Sequence, residues 1–112
     1  MQEFLMILKG DGMNHMSPDE LQQVLVDYKS WVAELGDQYV GGQRLEDSGS
    51  LLQSKEDAVI TDGPFLEPKE IIAGFMIIKA SNQKEANQLA MTCPHLGPYA
   101  VEVRPIVSPS MK

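Results

Sequence analysis

The strongest strand pattern in the chain is Ile71-Ile72-Ala73-Gly74-Phe75-Met76-Ile77-Ile78. Apolar residues continue through this stretch without alternation, which is typical of a strand that is covered on both faces. A second run of the same kind, Phe4-Leu5-Met6-Ile7-Leu8, lies near the N-terminus. The sequence therefore predicts two strands that are buried on both faces.

A helix is predicted after each of these two strands. The first begins with the capping box Ser17-Pro18-Asp19-Glu20, which places proline at the first helical position, and Gly36 ends it. The second begins at Ser81 or Asn82, and Pro94 stops it. One broad apolar stripe at helical spacing marks the first helix: Leu21, Val24, Leu25, Tyr28, Trp31, Val32 and Leu35.

Further strands are predicted around the two apolar runs. Tyr39-Val40-Gly41-Gly42-Gln43-Arg44-Leu45 reads as a strand whose glycines indicate a bulge or a close approach by another backbone. Short strand candidates lie at Leu51-Leu52 and at Ala58 to Thr61. Near the end, Tyr99-Ala100-Val101-Glu102-Val103-Arg104 alternates, so that its odd-numbered residues share one face.

The predicted order is β-α-β-β-β-α-β, a ferredoxin-like α+β fold with an extra hairpin strand. Two helices can cover only one face of such an antiparallel sheet. Because the two apolar strands disfavour a wet second face, we expect a homodimer that packs sheet to sheet. Residues 1–106 are expected to form one domain, and residues 107–112 a C-terminal tail.

Composition narrows the class of protein. The chain has 112 residues, a net charge of −7 and a pI near 4.6. Binding to nucleic acid needs clustered Lys and Arg, so the negative charge argues against nucleic acid as a partner. It argues equally against binding to an anionic membrane surface. No apolar run approaches the roughly 18–20 residues that span a bilayer. The N-terminus lacks signal-peptide features, and the single cysteine fits a reducing compartment, so we expect a cytoplasmic protein.

The candidate functional site is the corner Asp62-Gly63-Pro64-Phe65, where a short strand delivers a carboxylate onto a stiff turn. Asp62 acts there as a general base if burial raises its pKa, or it caps the turn by accepting a backbone amide. Lys69 and Glu70 follow the corner, either as part of its mouth or as a solvated surface pair.

Other reactive side chains also allow both a functional and a structural interpretation. Arg104 binds an anionic group through its planar fork, or it forms a cross-strand pair with a carboxylate. Cys93, placed in the last turn of the second helix, reads as a small core residue rather than a nucleophile. No residues have metal-ligand spacing, although His15 and His95 could meet across the fold, so neither a metal nor a cofactor is expected.

Several short motifs together resemble the YCII-related family, in its DGPF-domain branch. They are Thr61-Asp62-Gly63-Pro64-Phe65, Lys69-Glu70, Gly74-Phe75, Cys93-Pro94 and Val101-Glu102-Val103-Arg104-Pro105. The resemblance implies a ferredoxin-like dimer similar to muconolactone isomerase. It also implies a largely uncharacterised activity and an association of DGPF members with sigma-factor-like regulators. The plain YCII branch places a His on the first helix that is proposed to pair with an Asp as a catalytic dyad. Residues 21–35 here contain no His, so the resemblance does not carry this dyad over.

Two hypotheses about function follow. In the first, the protein is a small enzyme that binds a carbonyl or anionic metabolite in a cleft, with Asp62 as acid or base. The binding residues are then the corner residues Gly63, Pro64 and Phe65 with Lys69, Arg104 and His15. In the second, it is a non-catalytic dimeric module that binds a ligand or a protein and belongs to transcriptional regulation. Fold alone does not choose between them.

Overall fold

The computed structural model describes residues 1–56, 58–62 and 71–108. Short 3-10 turns at Gly12–His15 and Gly36–Gln38 precede the first helix and the second strand. The helices and strands are β1 Gln2–Lys9, α1 Pro18–Leu35, β2 Tyr39–Arg44, β3 Leu51–Lys55, β4 Ala58–Asp62, β5 Ile72–Ala80, α2 Gln83–Ala90 and β6 Val101–Pro105.

The main sheet has the strand order β2-β5-β1-β6, and every neighbouring pair is antiparallel. Both apolar runs of the sequence, β1 and β5, lie at its centre. Together with two helices this order is the ferredoxin-like α+β arrangement, so the predicted fold class is confirmed. Between β2 and β5 the structure has two strands, one more than the predicted order counts. Among the described residues β3 and β4 pair only with each other, as a separate hairpin.

The core lies on one face of the main sheet. Antiparallel register places Phe4 opposite Ile78 and Met6 opposite Val103, so the even-numbered residues of β1 point to the same side. Both helices pack there, as predicted. The buried cluster consists of Phe4, Met6, Leu8, Trp31, Leu35, Ile78, Ala80, Ala86, Ala90 and Cys93.

The opposite face of the sheet is also apolar at its centre. Leu5 pairs with Ile77 and Ile7 pairs with Phe75, and all four side chains are half-buried. Because they alternate with the residues of the core, they lie on the side away from the helices. Among the described residues, no helix packs against this second face.

None of the described helices is long and apolar enough to cross a membrane.

The glycines of β2 have the predicted effect. The pairing of β2 with β5 shifts register between Tyr39 and Gly41, which is the expected bulge. At Gly42 an added Cβ would lie 2.5 Å from the carbonyl oxygen of Phe75. The two backbones therefore approach each other so closely that only glycine fits at this position.

Helix α2 ends earlier than predicted. It stops at Ala90 instead of continuing through Cys93 to Pro94. The Thr92 hydroxyl donates to the carbonyl oxygen of Leu89 at 2.7 Å and also accepts from the Trp31 indole N–H at 2.8 Å. The Thr92 hydroxyl thus takes up a carbonyl oxygen of the last helical turn and links this segment to α1 through Trp31. The helix therefore ends before Pro94.

The predicted capping box of α1 is present. Ser17 Oγ accepts from the Glu20 backbone N–H at 3.2 Å, with Pro18 at the first helical position. We expect Ser17→Ala to lower the free energy of unfolding by about 1 kcal/mol, because an orphan amide loses its acceptor. Urea denaturation would measure it. Ser30→Ala, exposed within the same helix, is the matched control, and an equal effect of both changes would contradict the capping role.

Candidate functional site

A cavity of about 420 Å³ lies between α1 and the main sheet. This volume is in the range of sites that bind small metabolites. Residues of β1, β2 and β5, of α1, of the turn before α1 and of the loop before β6 line it. They are Leu8, Gly12, Met13, Leu25, Tyr28, Lys29, Val32, Tyr39, Gly42, Gln43, Arg44, Ala73, Phe75, Met76 and His95.

One wall of the cavity is a single face of α1. Leu25, Tyr28, Lys29 and Val32 are spaced by three and four residues, so they stand above one another on the helix. The sequence predicts three of them as core positions, yet Leu25 is 44% exposed. Leu25 therefore faces the cavity instead of the packed core, whereas Tyr28 and Val32 contact both.

His95 is a buried polar side chain that lines this cavity, with 6% of its surface exposed. Its Nε2 lies 2.6 Å from the carbonyl oxygen of Lys9. A carbonyl oxygen only accepts, so Nε2 carries the hydrogen of the neutral ring and Nδ1 keeps a lone pair. No described residue bonds Nδ1. An added Cβ at Gly12 would lie 4.0 Å from Nδ1, so this glycine, with φ +54°, borders the ring.

Tyr99 holds the imidazole of His95 from one side. The two rings stack with centroids 5.0 Å apart and an interplanar angle of 24°. The Tyr99 hydroxyl donates to the Gly12 carbonyl oxygen at 3.3 Å, and the Asp11 carboxylate, a competing acceptor for the same hydrogen, raises the pKa of Tyr99. With Lys9 at one nitrogen and Tyr99 against one face, the orientation of the His95 ring is fixed.

Burial lowers the pKa of His95, and the hydrogen bond to Lys9 opposes this shift only in part. A charged imidazolium is disfavoured where water is largely excluded. At neutral pH the ring is therefore uncharged, with its free lone pair on Nδ1. This is the protonation state that a general base requires.

The lowered pKa of His95 makes stability depend on pH. The unfolded chain takes up a proton near the ordinary histidine pKa of about 6.5, while the folded chain does so only at lower pH. The contribution of the neutral ring to the free energy of unfolding is fully present above a pH of about 6.5. It declines as the pH falls toward the pKa of the folded state. Urea unfolding between pH 7.5 and 5 should show this decline, and His95→Gln should remove its share of it. His15→Gln, at the exposed second histidine, is the control; an unchanged profile in His95→Gln would contradict the assignment.

Two cations stand at the cavity, Lys29 on α1 and Arg44 at the end of β2. Within the described residues, neither of them makes an ion pair or a side-chain hydrogen bond. No Asp or Glu is among the described lining residues. The cavity of this acidic protein therefore has a positive lining.

Tyr28 also has a buried polar contact at the cavity wall. Burial raises the pKa of its hydroxyl well above the ordinary value, and a hydrogen bond to the Cys93 thiol adds to the shift. Burial likewise raises the pKa of Cys93, which is 3% exposed. The prediction that Cys93 is a small core residue is confirmed, because a buried thiol with a raised pKa is a poor nucleophile.

The predicted corner is only partly described. The backbone of Asp62 ends β4 and pairs with Leu51 in the hairpin. The other corner residues Gly63, Pro64 and Phe65, together with Lys69, lie outside the described residues. The roles of Asp62 and of these four residues remain predictions.

Arg104 and His15 lie away from the cavity. Arg104 pairs with Leu5 in the sheet and so lies on the face opposite the helices, where its Nε contacts Glu102 Oε2. His15 Nε2 lies 3.2 Å from Asp47 Oδ2 and 3.7 Å from Asp11 Oδ2, and the side chain is 67% exposed. The structure thus does not bring Arg104 and His15 together in one site, and their binding roles stay predictions.

Glu102 lies between two cations on that opposite face. Hydrogen bonds from Arg104 and then from Lys9 lower the pKa of its carboxyl group, and the Lys9 Nζ–Glu102 Oε1 distance is 3.2 Å. Arg104 therefore has a carboxylate partner on its own strand. In the described part of the chain, no three His, Cys, Asp or Glu side chains are grouped as metal ligands would be.

His95 is the site residue that sequence reasoning left without a role. A signal was available in the topology. Because β1 and β6 are antiparallel neighbours, the loop before β6 must lie beside the loop after β1. The loop before β6 contains His95, and the loop after β1 contains Gly10-Asp11-Gly12. The predicted fold therefore already placed this histidine next to a glycine-rich turn.

Comparison with known proteins gives one family. The model of the YCII-related domain matches residues 3–110. No curated protein matches the chain. Among solved structures, 5-chloro-2-hydroxyhydroquinone dehydrochlorinase from Burkholderia phenoliruptrix, in complex with 2,5-dihydroxybenzoquinone, is 16% identical with a TM-score of 0.49, and the match covers 97% of each chain. At that identity and score the likeness does not extend to chemistry.

Proposed function

The chain belongs to the YCII-related family, and we propose that it is a small cytoplasmic enzyme that moves a proton on a carbonyl or anionic metabolite. One observation carries the proposal: a cavity of about 420 Å³ is lined by a buried histidine whose Nδ1 has no hydrogen-bond partner among the described residues. Cavities with mostly apolar walls and a few convergent polar groups are the usual form of such sites.

In the proposed step, Nδ1 of His95 removes a proton from the carbon next to the carbonyl group of the substrate. The electron pair of the broken C–H bond forms a C=C bond while the π pair of the C=O bond moves to the oxygen, giving an enolate, and His95 becomes an imidazolium. When a neighbouring C=C bond of the substrate extends the enolate, return of the proton to the far carbon gives an isomer, and return to the same carbon regenerates the substrate. General-base assistance of this kind contributes typically about 10²–10⁴-fold to a rate.

Asp62 remains a second candidate for the acid or base, on the strength of the sequence corner alone. The DGPF branch of the family rests on the same residues, Asp62 to Phe65. The cytoplasmic location is supported by the single cysteine, Cys93. The rival proposal, a non-catalytic module in sigma-factor regulation, needs a cavity that binds a ligand but no base that acts on it.

Hydrogen exchange into the substrate separates the two proposals without knowledge of the full reaction. The protein would be incubated in D₂O with 2-oxobutyrate, levulinate and a cyclopentanone carboxylate, and proton NMR would follow the signals next to each carbonyl. An enzyme of the proposed kind speeds the loss of those signals for at least one compound. Binding without faster exchange would overturn the enzyme proposal and favour the module.

We propose in addition that the functional form is a homodimer joined through the second face of the sheet. Its apolar centre, Leu5, Ile7, Phe75 and Ile77, supports this, since a second sheet is the usual cover for such a face. Light scattering should give about twice the chain mass of 12.4 kDa. Ile7→Glu should give single chains, and Val26→Glu, at an exposed position of α1, should not. A monomeric wild type would contradict the proposal.

A further inference from the structure

Lys29 and Arg44 come from separate elements and reach the same cavity. On α1 the positions three and four residues from Lys29 are Leu25, Val26, Val32 and Ala33, so the helix offers it no carboxylate. Two other described cations on the sheet differ, since Lys9 and Arg104 both contact Glu102. Among the described residues, Lys29 and Arg44 thus have no carboxylate partner of the kind that Lys9 and Arg104 have.

Arg44 is held at the cavity by the backbone of its strand. It is the last residue of β2 and lies opposite Gly74, which has no side chain to block the guanidinium. The next residue, Leu45, donates its N–H to the Ala73 carbonyl oxygen at 2.7 Å, which fixes the strand end. A planar fork on a fixed strand end is well suited to grip a carboxylate.

The charge of the lining is opposite to the charge of the chain. The sequence contains 16 Asp and Glu against nine Lys and Arg. Even so, the described lining holds two cations and not one carboxylate. Apolar side chains, among them Leu25, Val32 and Met76, form much of the remaining wall. A ligand that satisfies all of these groups has an apolar body and a negative end.

We propose that Lys29 and Arg44 form an anion subsite, and that the cavity binds a small, largely apolar carboxylate. The inference rests on the proposed function for the choice of His95 as the reacting end of the same cavity. It replaces Lys69 and Arg104, the residues that the sequence nominates for an anionic group. The carboxylate would lie between α1 and the end of β2, with the carbonyl group directed toward His95.

Matched probes test the subsite apart from catalysis. Benzoate and benzamide have the same shape and differ in charge, and their affinities can be measured by ligand-observed NMR at low salt. We expect benzoate to bind wild type roughly tenfold more tightly than benzamide. Lys29→Met and Arg44→Met should each weaken benzoate about five- to tenfold and leave benzamide unchanged. Lys79→Met, at an exposed lysine of β5 paired with Glu3 on the other face, should change neither.

The possible outcomes separate the subsite from the function. Equal binding of the two probes, or no saturable binding of either, would overturn the anion subsite. If exchange into the carbonyl compounds still depends on His95 in that case, the proposed function stands alone. If benzoate binding depends on Lys29 and Arg44 while no carbonyl compound exchanges, the subsite stands and the proposed function fails.

Discussion

Replacing His95 by glutamine is expected to slow the exchange of carbonyl-adjacent protons by about 10²–10⁴-fold. Glutamine can still donate an amide hydrogen to the carbonyl oxygen of Lys9, which His95 contacts at 2.6 Å. It has no nitrogen lone pair that accepts a proton from carbon, so the base is lost while the local hydrogen bond is kept. Proton NMR in D₂O, at saturating probe, would measure the rate.

The pH profile gives a second readout of the same residue. Because burial lowers the pKa of His95, the wild-type rate should be flat around neutral pH and fall only in acid, as Nδ1 becomes protonated. His15→Gln, which changes the exposed histidine, is the matched control and should retain rate and profile. A His95→Gln variant with the wild-type rate would contradict the assignment and make Asp62, tested as Asp62→Asn, the leading base.

The largest effect on stability is expected at Phe4. Its ring is 1% exposed, and its β1 position lies opposite Ile78 in β5 and Pro105 in β6. Phe4→Ala removes an aromatic side chain from the middle of the core and leaves a cavity, so the free energy of unfolding should fall by about 3–5 kcal/mol. That is a large fraction of the roughly 5–15 kcal/mol of a typical domain.

Urea denaturation of Phe4→Ala, followed by the fluorescence of the single tryptophan Trp31, would measure this loss. Trp31 is 4% exposed in the same cluster, so its emission reports the unfolding of the core. Met91→Ala is the control, because Met91 is 68% exposed and such a change should stay within about 0.5 kcal/mol. A loss below about 1 kcal/mol for Phe4→Ala would mean that Phe4 is not central to the core.

Patterns that depend on neighbours in sequence were predicted well. The capping box at Ser17 formed because all of its groups lie within one turn of helix. The strands β1 and β5 formed where continuous apolar runs leave no wet face. The end of α2 was placed too far along the chain because a distant residue, Trp31, holds Thr92 in a turn before the proline. The sequence around Thr92 contains no sign of that partner.

The candidate site follows the same division. The sequence predicts a site at the Asp62 corner, because an acidic residue before Gly-Pro is a motif of neighbouring residues. The cavity combines residues that are far apart in the chain: Tyr28 and Lys29 on α1, Arg44 on β2 and His95 before β6. No local motif connects them. Each alone is an ordinary helix, strand or loop residue.

The amino-acid sequence by itself determined the α+β class, the two helices on one face and the close approach of backbones at Gly42. These features follow from periodicity, capping and side-chain size, which act over a few residues. Only the tertiary structure decided which charged and polar groups share a cavity, and which state of His95 is stable there. That depends on long-range pairing, since the register of β6 against β1 brings His95 to the carbonyl of Lys9, and burial in that place keeps the ring neutral.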